Sequence, residues 1–337
     1  METKDCLESW FTQAYPEFEI LFGVSAPDDP VCQIVRALQA KHPGVAAQLV
    51  ICDLAAGPNR KVAKLAVLEP LARHQIIVVS DADVKAPRDF LDQSVPAFKD
   101  ENTGLVNSFY FLSTACNLPM RWEALAVNAD FWSGVLQAKS LKPLDFALGA
   151  VMLIRRNYLD RIGGFRRLAD FLADDYQLGS QIAREGGRIE LSPVPVECRE
   201  APHGFRHVWR HQLRWNRTVR VCQPAAYFLS ILRNAIFWSL LAFAANPRPI
   251  TGLALTLVVG LRILMAGHLQ TLLTRKTDHW PYVWLAPIND LLHVILWAAS
   301  FGGSNVHWRG QNFRVSRDGR LVHRPAQVPV LQEVSAS

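Results

Sequence analysis

The stretch Gln75–Val84, with the sequence QIIVVSDADV, decides the fold that we predict for this chain of 337 residues. Its apolar run from Ile76 to Val79 consists of β-forming residues and ends at two aspartates, Asp81 and Asp83. Such a run is typical of a strand buried on both faces, as in a parallel sheet covered by helices. Open α/β sheets bind ligands beyond the carboxyl ends of their strands, so the two aspartates are predicted to lie at a ligand site.

The Asp-x-Asp pair has two interpretations. Its carboxylates are hard oxygen ligands for Mg²⁺ or Mn²⁺, and the bound cation would hold a diphosphate of a nucleotide sugar. Alternatively, Asp81 and Asp83 only end the strand in a polar turn, because Asp is a common turn residue. Taken alone, the pair leaves both interpretations open.

Strands and helices are predicted to alternate on both sides of this stretch. The predicted strands are Phe18–Val24, Gln48–Cys52, Leu105–Leu112 and Leu148–Ile154. The predicted helices are Cys6–Ala14, Val31–His42, one from about Lys61, one from about Pro87, Arg121–Gln137 and Phe171–Ala183. Alternation at these spacings predicts a doubly wound α/β domain.

Two later stretches carry charge at helical spacing. Asp174 and Asp175 lie at the start of a predicted helix, where acidic residues also serve as caps and are favoured by the helix dipole. From Gly204, the sequence GFRHVWRHQLRWNRTVR places basic residues on one helical face, namely Arg206, Arg210, Arg214 and Arg217. This face suits anionic lipid, and it also suits a departing diphosphate, because the arginine fork matches phosphate oxygens.

Apolar segments follow the basic helix. They are Ala225–Ala245, Ile250–Leu273 and Tyr282–Phe301. At about 1.5 Å per residue they are close to the length that crosses a hydrocarbon core of about 30 Å. They also contain Arg233, Arg262 and Asp290. A charge at the centre of a span costs about 2.5–3.5 kcal/mol, so we expect these segments to pack on each other or on the soluble domain, or to lie partly in the interface.

The composition limits the classes of binding partner that we expect for the protein. The formal net charge of +6 fits a phosphate-bearing substrate or a membrane surface. We predict no nucleic-acid partner, because the basic residues cluster beside the apolar segments and form no separate face. The six cysteines show no metal-ligand spacing, which favours free thiols. We predict no signal peptide, because the polar, mixed-charge start METKDCLESW lacks an apolar core.

The ordered motifs resemble those of the ceramide glucosyltransferases and their bacterial relatives, which include the hopanoid-biosynthesis glycosyltransferases. The match runs from about Tyr15 to Arg314. Its motifs are APDDP with Asp29, N-x-K at Asn59–Lys61, SDADV with Asp81 and Asp83, FLADDYQLG with Asp175, HQLRW with Arg214–Trp215, and the late segment WRGQNFR. The family consists of membrane-bound inverting enzymes with a GT-A catalytic fold, so the resemblance implies a GT-A-like domain followed by membrane helices.

The resemblance also implies site roles. The expected donor-binding residues are Asp29, Lys61, Asp81, Asp83 and His211. Within this set Asp81 and Asp83 are expected to hold Mg²⁺ or Mn²⁺ with the diphosphate.

The expected catalytic residues are Asp175, Arg214 and Trp215. Asp175 is expected to be the general base, Arg214 to stabilise the leaving diphosphate, and Trp215 to shape the site. His211 stands where the family has Gln or Arg, so we expect its contact with the sugar nucleotide or acceptor to differ.

A second departure concerns the start of the chain. The family has a membrane anchor and a first strand ahead of the segment that begins here, and we expect their absence to weaken the sheet and nucleotide binding. The predicted division is a catalytic domain over 1–205, a basic interfacial helix over 206–223, membrane-associated helices over 224–302 and a tail over 303–337.

The sequence therefore predicts an inverting glycosyltransferase. It would move a hexose, glucose or N-acetylglucosamine, from a UDP-sugar to the hydroxyl of a ceramide- or hopanoid-like membrane lipid. The expected location is a multi-pass membrane protein whose catalytic domain faces the cytoplasm. The alternatives are a polysaccharide synthase-like enzyme, an inactive pseudoenzyme that lost its first strand, and a transporter that uses Arg233, Arg262 and Asp290.

Overall fold

The computed structural model describes residues 2–52, 57–308, 311–316 and 318–323. In these ranges the helices are α1 Glu2–Phe11, α2 Val31–Lys41, α3 Arg60–Leu68, α4 Phe90–Ser94, α5 Leu118–Leu125, α6 Trp132–Leu141, α7 Arg156–Arg161, α8 Asp174–Arg184, α9 Phe205–Cys222, α10 Pro224–Leu229, α11 Ala235–Ala245, α12 Pro249–Thr274 and α13 Leu285–Ser300. The strands are β1 Glu19–Val24, β2 Ala46–Ile51, β3 Ile76–Ser80, β4 Val84–Lys85, β5 Thr103–Asn107, β6 Tyr110–Leu112, β7 Val151–Arg155, β8 Arg188–Leu191, β9 Val196–Cys198, β10 Asn305–Trp308, β11 Gln311–Val315 and β12 Leu321–His323.

The central sheet has the strand order β3-β7-β5-β8. Strand β7 runs antiparallel to both β3 and β5, whereas β5 and β8 are parallel. The predicted α/β layering is therefore confirmed, but the sheet is mixed in direction.

The organising strand β3 has core on both faces, as predicted. Ile77 and Val79 pack in one apolar cluster, while Ile76 and Val78 pack in the cluster on the opposite face. Only Val79 is fully buried, and the other three keep part of their surface exposed. This partial exposure arises because β3 lies at an edge of its sheet and, among the described strands, pairs with β7 alone.

Strands β1 and β2 form a separate parallel sheet of two strands. Among the described residues, no ladder pairs β1 with β3. Their amino ends are nevertheless close, because the Glu19 carboxylate accepts hydrogen bonds from the backbone N–H of Arg73 (2.6 Å) and from its Nε (2.8 Å). The sheet is thus interrupted between β1 and β3.

Two predicted elements are corrected. The helix expected from about Pro87 begins at Phe90, because the Pro87 carbonyl accepts hydrogen bonds from the Phe90 N–H and from the Gln13 side chain. The single strand expected over Leu105–Leu112 is divided between two sheets. Ser108 is where it divides: its N–H bonds the Val151 carbonyl and its hydroxyl bonds the Val194 carbonyl, after which β6 pairs with β9 in the sheet β4-β9-β6.

The apolar segments after α9 form fewer long helices than the sequence predicts. In the described part of the chain, α12 alone is long and apolar enough to cross a membrane, and a second candidate is a bent pair, Pro224–Arg233 with Ala235–Ala245. The pair bends by 54°. Asn234 lies at the bend, where its side chain accepts from the Phe237 N–H and donates to the Asp290 carbonyl (2.7 Å).

Arg262, a charged residue inside these helices, is paired both with another apolar helix and with the domain that precedes α9. The Arg262 guanidinium on α12 contacts the carboxylates of Asp130 (2.8 Å) and Asp290 (2.8 Å). Asn289 donates to Asp130 (2.6 Å) and accepts from the Trp122 indole N–H (2.8 Å). We call these five residues the Arg262 cluster. Of the alternatives expected for these segments, it matches packing of the apolar helices on one another and on the domain that precedes α9.

The remaining strands form an antiparallel sheet, β10-β11-β12.

All six cysteines are described and none forms a disulfide, as predicted.

Candidate active site

Asn59 organises the entry to the site. It caps α3, because its side-chain oxygen accepts from the N–H groups of Lys61 (3.1 Å) and Val62 (3.3 Å). Its amide nitrogen donates to the Phe171 carbonyl (2.9 Å) and to Asp174 Oδ1 (3.0 Å). The residue is fully buried. One side chain therefore connects the start of α3 to the segment that leads into α8.

Lys61 extends from the first turn of α3 towards the end of β3. Its Nζ lies 2.7 Å from Asp81 Oδ1 and donates to the Gly149 carbonyl at 3.1 Å. Burial opposes its charge, but Asp81, Asp174 and Asp175 together hold the pKa of Lys61 above its usual value. Lys61 is therefore a charged ammonium among carboxylates.

Asp174 and Asp175 form the first turn of α8, so the predicted helix start is confirmed within three residues. Asp175 Oδ1 accepts from the Tyr176 N–H (2.7 Å), and a Cβ atom at Gly149 would lie 2.8 Å from Asp175 Oδ2. Burial and the adjacent Asp174 raise the pKa of Asp175 to about 6. A carboxylate with this pKa is poised to take a proton near neutral pH.

We call Asn59, Lys61, Asp81, Asp174 and Asp175 the Lys61 cluster. It combines acidic residues from the end of β3 and the start of α8, which are separated by more than ninety residues in the sequence. Strand and helix ends thus converge at one edge of the sheet, which is the position expected for a ligand site in an α/β fold.

Asp83 lies beside this cluster and is exposed to solvent. Surrounding protein and the neighbouring Asp81 raise the pKa of its carboxyl. Among the described residues, no three His, Cys, Asp or Glu side chains converge as a metal-binding group. The oxygen donors of Asp81 and Asp83 and their mutual repulsion do fit a hard divalent cation whose coordination is completed by substrate oxygens and water.

Asp29 is the expected nucleotide contact, and its contacts in the structure are local. Its Oδ1 accepts from the Val31 N–H (3.0 Å) and its carbonyl accepts from the Cys32 N–H (2.9 Å). These bonds fix the turn between β1 and α2. Neither of these bonds joins Asp29 to the Lys61 cluster.

The remaining expected residues lie on α9. His211 Nδ1 lies 2.6 Å from the Glu123 carboxylate, and Glu123 is 1% exposed. The Trp215 ring packs against His211 (centroids 4.6 Å apart) and Phe131 (6.3 Å). Arg214 is half-buried on the same helix. His211 is therefore engaged with a buried glutamate, which is a contact that the sequence did not predict.

The predicted basic face of α9 is divided in the structure. Arg206 and Arg210 are exposed. Arg217 donates to the Asn305 carbonyl and Arg220 to the Gly303 carbonyl (3.0 Å), so both hold the chain that follows α13. In the late segment WRGQNFR, Arg309 and Gly310 lie outside the described residues.

Two contributors to the site region were missed at the sequence level. Gly149 provides the close backbone approach between Lys61 and Asp175, and its only signal is a small residue two positions before β7. Glu123 is a charged residue in an otherwise apolar part of α5, which is unusual enough to mark it as paired. Its partner on α9 could not be identified from the sequence.

The fold is that of the GT-A glycosyltransferases. The mannosyltransferase PcManGT from Pyrobaculum calidifontis, solved with GDP-Man and Mn²⁺, matches with a TM-score of 0.50 and 21% identity. The match covers 87% of this chain and 84% of that structure. This likeness establishes the architecture of the domain.

The chain belongs to glycosyl transferase family 21, whose model matches residues 2–321, and is therefore a glycosyltransferase. Ceramide glucosyltransferase 1 of Caenorhabditis elegans is 22% identical over 98% of this chain and 72% of its own length. The beta-monoglucosyldiacylglycerol synthase of Nostoc sp. is 24% identical over 73% of this chain and 50% of its own length.

Proposed function

We propose that the protein transfers a hexose, glucose or N-acetylglucosamine, from a UDP-sugar to the hydroxyl of a membrane lipid, with inversion at the anomeric carbon. The observation that carries the proposal is Asp175, a carboxylate with a pKa of about 6 beside the Lys61–Asp81 pair. The family membership and the names of the relatives, which act on ceramide and diacylglycerol, support a lipid acceptor.

In this proposal Asp175 accepts the proton of the acceptor hydroxyl. The hydroxyl oxygen then bonds to the anomeric carbon from the face opposite the diphosphate, and the bond to the diphosphate oxygen breaks. The UDP leaves with the electron pair of that bond. Asp175 is charged in most molecules at pH 7, because its pKa lies about one unit below.

The donor side of the site is assigned to Asp29, Lys61, Asp81 and Asp83, with His211 at the periphery. Asp81 and Asp83 would hold Mg²⁺ or Mn²⁺, which would supply positive charge against the diphosphate of the leaving group. Lys61 holds Asp81 in place through its 2.7 Å contact. PcManGT, which shares the fold, was solved with Mn²⁺.

Arg214 and Trp215 complete the proposed site from α9. Arg214 would stabilise the charge that develops on the leaving diphosphate, since a guanidinium remains protonated at all relevant pH values. Trp215 packs on Phe131 and His211, so its ring is a fixed wall for the sugar or acceptor.

Membrane attachment is part of the proposal. The exposed apolar surface of α11 and α12 supports it; the exposed residues include Leu240, Leu241, Leu253, Leu257, Leu261 and Leu264. The sequence-based expectation of several crossings, with the catalytic domain in the cytoplasm, requires α12 and the bent pair to span. Alkaline extraction tests attachment: an integral protein stays in the pellet, whereas release by salt would mean surface binding.

The second candidate is a pseudoenzyme that keeps the scaffold without activity. The break between β1 and β3 favours it, because an unpaired edge next to the nucleotide site leaves that site less rigid.

The deciding experiment is direct. Purified protein in lipid vesicles is incubated with Mn²⁺, ceramide or diacylglycerol, and either UDP-glucose or UDP-N-acetylglucosamine, and the lipids are analysed for a new glycolipid. The proposal expects one donor–acceptor pair to give product. If the UDP-sugar binds and no product forms with these lipids or with a hydroxylated hopanoid, the result favours the pseudoenzyme.

A further inference from the structure

The sheet β10-β11-β12, which we call the C-terminal sheet, contacts the segment that precedes the proposed base. We call Asp170–Ala173 the base segment. The Leu172 N–H donates to the Gly319 carbonyl (3.3 Å), and the Leu321 N–H donates to the Asp170 carbonyl (2.7 Å). Phe171 and Arg320 form an antiparallel bridge. The base segment therefore pairs with the C-terminal sheet as a short additional strand.

Apolar packing strengthens this contact. Leu172 is 7% exposed and packs in one cluster with four buried residues of the C-terminal sheet, namely Val306, Phe313, Val315 and Leu321. The C-terminal sheet has no other large apolar cluster among the described residues, so its core is built around a residue of the catalytic domain.

The opposite side of the same segment is held by Asn59. The Asn59 side chain donates to the Phe171 carbonyl (2.9 Å), and its N–H donates to the Ala169 carbonyl (3.0 Å). The base segment thus lies between the cap of α3 and the C-terminal sheet. This matters because α8 starts without a side-chain cap, its N-cap residue being Ala173. The orientation of the first turn of α8, which carries Asp175, depends on these flanking contacts.

The C-terminal sheet is also fastened to α9. Arg217 and Arg220 donate to the carbonyls of Asn305 and Gly303, and Val221 packs against the apolar cluster of the sheet. In the sequence, the apolar helices α10 to α13 lie between α9 and the C-terminal sheet. The C-terminal sheet consequently joins the helix that carries Arg214 and Trp215 to the segment that precedes the base.

We infer that the C-terminal sheet is a positioning element, which holds the base segment against Asn59 and thereby fixes Asp175 for proton transfer. The inference rests on the proposed function for Asp175. Geometry of the reacting groups within a fraction of an ångström decides turnover, so loosening the segment reduces turnover more than donor binding.

The test compares Phe313→Ala with the conservative Phe313→Leu and with Val322→Ala. Phe313 is 2% exposed within the sheet cluster, whereas Val322 on the neighbouring strand is 52% exposed. Hydrogen exchange of the amides of residues 170–176, kcat, and the affinity for the UDP-sugar are measured for each full-length variant in vesicles. We expect Phe313→Ala to speed exchange in this segment and to lower kcat about tenfold or more, with donor affinity within about threefold. Phe313→Leu should restore most of the activity, and Val322→Ala should match the wild type.

Arg217→Gln provides a second variant that keeps the sheet core intact, with the exposed Arg188→Gln as its matched control. It should also speed exchange at residues 170–176 and lower kcat with little effect on donor affinity. Faster exchange with unchanged kcat would overturn the inference, as would an equal loss of donor affinity and kcat. If the wild type itself makes no glycolipid, the proposed function has failed, and unchanged exchange in both variants would then overturn the structural coupling separately.

Discussion

The Lys61 cluster and the Arg262 cluster both place one basic side chain among carboxylates, and they differ in how those carboxylates are paired. In the Arg262 cluster the guanidinium bonds both Asp130 and Asp290 directly, and Asn289 supplies a further donor to Asp130. In the Lys61 cluster the ammonium makes one ion pair, to Asp81. The first cluster is closed by its own contacts, whereas the second retains negative charge next to the exposed Asp83.

The comparison shows that a raised pKa does not by itself identify a catalytic group. Burial raises the pKa of Asp130 to about 6, although Arg262 opposes the shift, and burial raises the pKa of Asp175 to the same value. Asp130 uses its oxygens for Arg262 and Asn289. The Asp175 carboxylate accepts a hydrogen bond from the Tyr176 N–H and has no cation in direct contact among its described bonds. We therefore assign chemistry to the Lys61 cluster and cohesion to the Arg262 cluster.

Among changes to the Lys61 cluster, removal of divalent metal should reduce sugar transfer the most. We expect EDTA to abolish sugar transfer and added Mn²⁺ or Mg²⁺ to restore it, because the carboxylates and the diphosphate repel one another without a cation. Asp83→Asn should reduce transfer and raise the metal concentration required. Asp89→Asn, at another exposed aspartate, is the matched control and should behave as the wild type. Full activity in EDTA would show that sugar transfer needs no divalent metal.

Replacement of Arg262 should affect stability instead of chemistry. Arg262→Met leaves Asp130 and Asp290 without their cation. Breaking a fully buried pair costs about 3–5 kcal/mol of unfolding free energy, and we expect this partly buried cluster to lose less than that. The denaturant midpoint in detergent measures the loss, and kcat per folded molecule should change less than about twofold. Arg36→Met, at an exposed position, should stay within about 0.5 kcal/mol. A large loss of kcat with unchanged unfolding would mean that the Arg262 cluster belongs to the active site.

The pH dependence of kcat tests the Lys61 cluster. The expected change in rate is smaller than the loss expected on removal of the metal. Because only ionised Asp175 accepts a proton, and its pKa is raised to about 6, kcat should be level above pH 7 and fall about tenfold per unit below pH 6. Asp174→Asn removes the adjacent negative charge that raises this pKa. The acid limb of the profile should then move to lower pH. A limb that does not move would assign the ionisation to another group.

Local pattern was enough to predict the elements that form the Lys61 cluster. The apolar run of β3 followed by Asp81 and Asp83, and the acidic start of α8, were both visible in the sequence. The resemblance added Lys61 and ordered the motifs. Contacts over long sequence separations were not predictable, because nothing local pairs Asp175 with Gly149, or His211 with Glu123.

The apolar region shows the same limit. Hydropathy identified its segments, and the cost of a buried charge correctly required Arg262 to find partners. The residue types could not identify Asp130 as one of those partners, since it lies in the catalytic domain. The break at Asn234 was also missed, because nothing local to an apolar run shows that its asparagine caps α11 through the Phe237 N–H and bonds the distant Asp290 carbonyl.

The central claim is that Asp175 acts as the base, and the turnover of Asp175→Asn tests it most directly. Asn keeps the shape of the side chain and serves a helix start about as well as Asp, so unfolding and donor affinity should be nearly unchanged. Asn cannot take the proton of the acceptor, so kcat should fall about 10²–10⁴-fold, which corresponds to roughly 3–5 kcal/mol of barrier. Asp174→Asn, measured in parallel, should lose less. If Asp175→Asn keeps most of the wild-type turnover, the base is another group and Asp175 is only a residue of the first turn of α8.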